Sequence, residues 1–160
     1  MHLFATADLL DDHPEAEVLP LKLISYGNIT SFFGETITVL APEDNSFVRE
    51  TLESNGKGKV LVVDGGGSLN CALLGDRLAS LAIDNNWRGV LLNGCIRDSA
   101  IIKDMPIGVK ALDTHPRKSE KRGLGKVGGP IEIAGIEIKT GVWIYADSDG
   151  VVISKDNLLK

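Results

Sequence analysis

Lys59-Val60-Leu61-Val62-Val63-Asp64 is a continuous apolar run, the pattern of a strand covered on both faces, and it leads into Gly65-Gly66-Gly67. Farther on, Leu74, Leu78, Leu81 and Ala82 make one apolar stripe, with Ala79, Ile83 and Trp87 beside it. That spacing predicts a helix over 76–88, buried across a wide arc and stopped by Gly89. Val90-Leu91-Leu92 is then a second buried strand, and Asn93-Gly94 reads as the loop that carries the chain off its end. Apolar strands alternating with a helix indicate an α/β core with at least some parallel pairing.

The flanks extend this pattern. Upstream, Glu35-Thr36-Ile37-Thr38-Val39-Leu40 is an alternating, β-branched strand closed by Pro42. Between Asp44 and Ser54, Phe47, Val48, Thr51 and Leu52 recur at helical spacing, and Asn55-Gly56 supplies the stop. Thr6–Asp12 reads as a short helix capped by Thr6 or Asp8 and ended by Pro14; Leu19–Leu23, opening at Pro20, reads as an edge segment, and Tyr26-Gly27-Asn28 as a turn.

Downstream, Ile107–Leu112 is another strand, and the basic, glycine-rich run from Arg117 to Gly129 is expected to be an exposed loop. The tail is all β. Ile131, Ile133, Ile136 and Ile138 alternate around Ala134-Gly135, followed by strands at Val142–Ala146 and Val151–Ile153. Asp147-Ser148-Asp149-Gly150 resembles the start of a calcium loop, but Leu158 stands where its twelfth, acidic position would fall, so a hairpin turn is expected.

At 160 residues the chain is most simply one domain, 1–160, able to bury a real core. With 43 % hydrophobic and 24 % charged residues and a net charge of -5, it does not present a wholly basic surface to nucleic acid or anionic membrane. No stretch approaches the ~18 apolar residues of a membrane span, and Met1-His2-Leu3-Phe4 is no signal peptide, so a cytoplasmic location is expected. Cys71 and Cys95 lack the spacing of a disulfide framework or zinc site and read as core residues.

The chemistry-bearing residues are Gly75-Asp76-Arg77-Leu78 and, twenty residues after Asp76, Arg97-Asp98. That interval suits one helix, a turn and a buried strand, which would return the chain beside its start. A helix opening at Gly75-Asp76 presents unpaired amides to a carboxylate or phosphate. Arg97 can grip or stabilise an oxyanion, and Asp98 can offer a hard oxygen to Mg²⁺ or Mn²⁺. The plain alternative is that Asp76 caps its helix and Arg97 pairs with Asp98. Because strand neighbours face opposite ways, Arg97 and Asp98 share a pocket only if the strand has ended. The glycine triplet fails the dinucleotide fingerprint, since Asn70 stands where a third glycine is needed. Lys59, Lys103 and Lys110 are available for Schiff-base chemistry, but nothing in the sequence marks any of them as a desolvated amine.

Val62-Val63-Asp64-Gly65-Gly66-Gly67-Ser68, Gly75-Asp76, the twenty-residue interval and Arg97-Asp98 together resemble the family shared by ribonuclease-activity regulator A proteins and divalent-metal 4-hydroxy-4-methyl-2-oxoglutarate aldolases. Thr6-Ala7-Asp8 and Tyr145-Ala146-Asp147 extend the resemblance to both ends. It implies a swivelling β/β/α fold with mixed sheets, assembled as a homotrimer. It also implies a class II aldolase that releases pyruvate through an enolate, with oxaloacetate decarboxylation as a second activity. By position, the amides of Gly75, Asp76, Arg77 and Leu78 would hold the pyruvyl carboxylate, Arg97 its keto or enolate oxygen, Asp98 the metal (Mg²⁺, or Mn²⁺), and Asp76 a metal-bound water. The other implication is a non-catalytic regulator that binds and inhibits ribonuclease E. A pure regulator has no need of metal-binding and oxyanion-stabilising residues together.

Overall fold

The structure, a computed structural model, describes residues 3–159; Met1 and His2, part of the N-terminal stretch read for a leader, and Lys160 lie outside them. Four parallel strands form the centre of a mixed sheet: β3 (Phe32–Leu40), β4 (Lys59–Asp64), β6 (Gly89–Ile96) and β7 (Gly108–Thr114). The short β5 (Ala72–Leu74) also runs parallel to β6. Antiparallel strands complete the sheet: β11 (Trp143–Ala146), β12 (Val151–Ser154) and β1 (Glu17–Val18) beside β3, and β2 (Ile24–Ser25) on the far edge against β7. β8 (Lys126–Val127) pairs with the end of β3, while β9 (Ile131–Ile133) and β10 (Ile136–Ile138) form a separate hairpin. This is the swivelling α/β architecture with mixed sheets.

The apolar run of β4 divides its side chains between two cores. Leu61 and Val63 join Val39, Val90 and Leu92 beneath the helices α2 (Ser46–Leu52), α3 (Asp76–Asp84) and α4 (Ser99–Ile102). Val60 and Val62 face Leu91, Ile144 and the three buried isoleucines of the hairpin. Hence no polar alternation survives in the sequence. A third cluster, of Phe4, Leu9, Tyr145 and Val152, seats α1 (Thr6–Asp12) against β12.

Several boundaries differ from expectation for identifiable reasons. The helix predicted over 76–88 ends at Asp84; Trp87 is buried in the turn beyond it, where its indole Nε1 donates to the Ser54 carbonyl at 3.1 Å. The helix of 44–54 is shorter too, running from Ser46 to Leu52, with Asp44 outside it accepting the Ser46 N–H at 2.9 Å. β6 runs through Asn93-Gly94, which is therefore not a loop: the Asn93 carbonyl accepts from Gly65 and Gly67 N–H at 3.1 Å each, and Gly94 leaves room for Leu73. Neither Thr6 nor Asp8 caps α1 with its side chain. Asp147, 141 residues away, takes the Thr6 N–H at 2.8 Å and its hydroxyl at 2.7 Å. Asp147–Gly150 is the predicted hairpin turn. No helix among the described residues is long and apolar enough to cross a membrane.

Candidate active site

β5 and β6 run side by side with Leu74 opposite Ile96, and the Arg97 N–H donates to the Leu74 carbonyl at 2.9 Å. The next residue of each strand is therefore delivered to the same spot, at the carboxyl ends of parallel strands where α/β proteins commonly bind ligands. The contact is steric. A Cβ at Gly75 would stand 2.7 Å from Asp98 Oδ2, 3.3 Å from Arg97 Cγ and 3.4 Å from Arg97 Nε. A side chain there would have to displace the Arg97 and Asp98 side chains.

The convergence depends on how β6 ends. The strand stops at Ile96, and Asp98 takes a left-handed conformation with φ 60° and ψ 36°, uncommon for a non-glycine residue. That turn brings Arg97 and Asp98 to one side. It also aims the Asp98 carboxylate at the start of α3, where Oδ2 accepts the Asp76 N–H at 3.1 Å. Asp98, not Asp76, therefore occupies the free amide at this helix end, and no ion pair joins Arg97 to Asp98 within 4.0 Å among the described residues. Neither half of the plain structural alternative holds. One amide of the proposed carboxylate cradle is thus taken, while the Arg77 and Leu78 N–H groups find no acceptor among the described residues.

Around these residues lies a cleft of about 490 Å³, which also draws on Asn45 and Arg49 of the α2 region and on Lys118 and Lys121. The last two come from the basic loop, which is exposed but tethered. Asp44 Oδ2 accepts Arg122 N–H at 2.6 Å and Leu124 N–H at 3.0 Å, while its Oδ1 takes the Ser46 N–H and hydroxyl. Burial pushes the Asp44 carboxyl up, but the hydrogen bonds from Ser46, Leu124 and Arg122 outweigh it and hold the group well below the usual carboxylate range. Ser119 accepts the Asn45 N–H at 3.1 Å, and Ala72 N–H donates to the Arg117 carbonyl at 2.7 Å. Sequence reasoning missed all four of these lining residues. The cluster of basic residues was the only signal for the lysines, and exposed Arg49 offered none.

The cleft thus holds five cationic side chains, Arg49, Arg77, Arg97, Lys118 and Lys121, against the carboxylates of Asp76 and Asp98. Its chemistry suits a small, multiply charged anion. Among the described residues no group of three or more His, Cys, Asp or Glu could hold a metal ion. One or two carboxylates suffice for Mg²⁺, which keeps most of its waters, so Asp98 with Asp76 nearby fits that ion and not a zinc cage. The glycine turn takes no part: Asn70, at the fingerprint's third-glycine position, donates to Glu43 at 2.8 Å, and Ser68 donates to the same carboxylate.

Residues 6–153 match the model of the RraA-like family, Aldolase/RraA. The chain belongs to this family. The RraA-like relatives include a provisionally named 4-hydroxy-4-methyl-2-oxoglutarate aldolase of Pseudomonas fluorescens (strain Pf0-1), 49 % identical over 159 residues that cover 99 % of this chain and 98 % of the relative. One from Burkholderia mallei (strain SAVP1) bears the same name and is 48 % identical, with 99 % of both chains covered. Two solved structures carry other names. One, called an S-adenosylmethionine:2-dimethylmenaquinone methyltransferase, from Geobacillus kaustophilus HTA426, superposes with a TM-score of 0.95 at 48 % identity, covering 98 % of each chain. The other, the RNA-processing inhibitor RraA from Thermus thermophilis, has a TM-score of 0.93 at 42 % identity, covering 98 % of this chain and 94 % of that one.

Proposed function

We propose that the protein is a divalent-metal-dependent aldolase that cleaves 4-hydroxy-4-methyl-2-oxoglutarate, or a closely similar 4-hydroxy-2-oxo acid, to release pyruvate, and that it also decarboxylates oxaloacetate. The observation that carries this reading is the meeting of Arg97, Asp98 and the α3 amides around Gly75. Both reactions leave an electron pair on a pyruvate enolate, so both need negative charge stabilised on the former keto oxygen. The methyltransferase name fits less well, because a cleft walled by seven charged side chains is a poor seat for an apolar quinone chain.

The Arg77 and Leu78 amides, at the positive end of α3, receive the substrate's carboxylate. Arg97 faces the keto oxygen and meets the charge that grows there as the carbon–carbon bond breaks. Asp98 would hold the metal, with the Asp76 N–H fixing its carboxylate. A bound Mg²⁺ or Mn²⁺ supplies Lewis acidity and lowers the pKa of its waters. The Asp76 side chain stands at the cleft as an acceptor for the 4-hydroxyl proton, directly or through a water. Arg49, Lys118 and Lys121 surround the rest of the substrate and favour a second carboxylate. A homotrimer with the cleft at a subunit boundary is part of the proposal, checked by sedimentation equilibrium.

A coupled pyruvate assay tests it: turnover is expected with Mg²⁺ and lost with EDTA. Asp98→Ala should abolish activity, and Arg97→Ala should lower kcat by about 10²–10³-fold, the usual cost of an oxyanion donor. Undiminished turnover in both variants would overturn the assignment. A second reading, inhibition of ribonuclease E, is favoured by the likeness to the Thermus inhibitor. It predicts ribonuclease inhibition that survives Asp98→Ala.

A further inference from the structure

Lys110 is the odd lysine of the chain. It sits on β7, paired with Leu91 of β6 and Ser25 of β2, and is only 3 % exposed. No hydrogen-bond or ion-pair partner lies within reach of its Nζ among the described residues. The carboxylate whose charge acts on it is that of Asp147, but this is spent on the Thr6 N–H and hydroxyl and on the Asp149 N–H at 3.0 Å. A lysine that the sequence did not distinguish is thus the desolvated one. Burial lowers its proton affinity; Asp147 partly restores it, and Lys22 lowers it further.

This side chain faces a cavity of about 250 Å³ between the Leu19–Leu23 segment and the turn at 148–150, sharing no lining residue with the Arg97 cleft. The walls are apolar at Leu19, Leu21 and Val151 and polar at Ser148 and Asp149. The space equals that of about eight waters at liquid density, room for a molecule of a few carbons. A buried amine with no direct ion pair among the described residues, opening on a small, partly apolar cavity, has the makings of a nucleophile.

We propose that Lys110 and this cavity form a second site, where Nζ condenses with a small aldehyde or 2-oxo acid to give an imine. Nζ first releases a proton to solvent. Its lone pair then attacks the carbonyl carbon, and the carbinolamine loses its hydroxyl, with a proton, as water. Nothing is oxidised or reduced, and Ser148 and Asp149 line the path for that proton.

The test is reductive trapping on the intact protein at neutral pH with EDTA present, using cyanoborohydride with pyruvate in one arm and propanal in the other, followed by peptide mapping. Lys110 is expected to be alkylated severalfold faster than the average exposed lysine, since a lowered proton affinity leaves more of its amine free at neutral pH. The preference should vanish when the protein is labelled in denaturant. Labelling no faster than at exposed lysines, or an equal preference after unfolding, would overturn the site. The readout is a mass adduct measured without metal, so it stands or falls independently of the aldolase reading. Lys110→Met should leave pyruvate release intact; a folded variant that lost it would refute the separation of the two sites.

Discussion

Gly75 is the residue on which the cleft turns. Adding one methyl there would push into Asp98 Oδ2 and the Arg97 stem, both of which can swing away from an exposed or half-buried position. Gly75→Ala is therefore expected to leave thermal stability nearly unchanged while lowering kcat by about 10²-fold, the cost of displacing catalytic groups by an ångström or so. Calorimetry beside a pyruvate assay separates the two effects. Arg97→Lys keeps the charge but loses the planar fork, and should recover only part of the loss caused by alanine. Gly75-Asp76 and Arg97-Asp98 were legible in the sequence because chemistry and spacing both point to them. The exchange of roles was not: Asp98 reaches the amide at the start of α3 because of a left-handed backbone turn that residue types do not announce.

Among the elements, two carboxylates hold distant segments together. Asp44 ties the basic loop to the start of α2 and so holds Lys118 and Lys121 at the cleft. Asp44→Ala should raise KM more than it lowers kcat, and Lys121→Ala should mimic it in steady-state kinetics; an unchanged KM in both would show that the loop plays no part in binding. Asp147 caps α1, and burial, which raises its pKa, is outweighed by hydrogen bonds from Thr6, Asp149 and Gly150, leaving the carboxyl below its ordinary value. Its contribution is thus complete above the unfolded pKa of about 4 and is lost as the pH falls through the lower folded value. Asp147→Ala should cost about 1 kcal/mol at neutral pH. That deficit should shrink in urea titrations below about pH 4. Periodicity revealed α2, α3 and the apolar strands, but the four-residue α4, β5, three residues long, and these long-range caps left no local pattern to read.

At the scale of the whole molecule, the parallel centre and the all-β tail are joined across β3, which pairs with β4 on one side and β11 on the other. Phe32, at its start, lies over two glycines of neighbouring strands: a Cβ at Gly89 would be 2.4 Å from its ring and one at Gly108 2.2 Å. Gly89→Ala should destabilise the fold by about 1–3 kcal/mol through overpacking, measured by chemical denaturation, with little change in KM. Order in the sheet was only partly legible. Alternation and apolar runs marked the strands, yet the joining of β11 to β3 pairs residues more than a hundred positions apart, which no local window contains.

The bond from Thr6 to Asp147 also bears on the birth of the molecule. A chain emerging from the ribosome exposes α1 well before Asp147, the residue that caps it, which follows Thr6 by 141 positions. A seven-residue helix is marginal by itself, and the Phe4–Leu9 cluster, which has Phe33 from early in the chain, is completed only when Tyr145 and Val152 have been made. α1 therefore gains its cap only after Asp147 has been made. A nascent chain stalled before residue 147 should expose its amino terminus to protease even where β3–β7 have already paired.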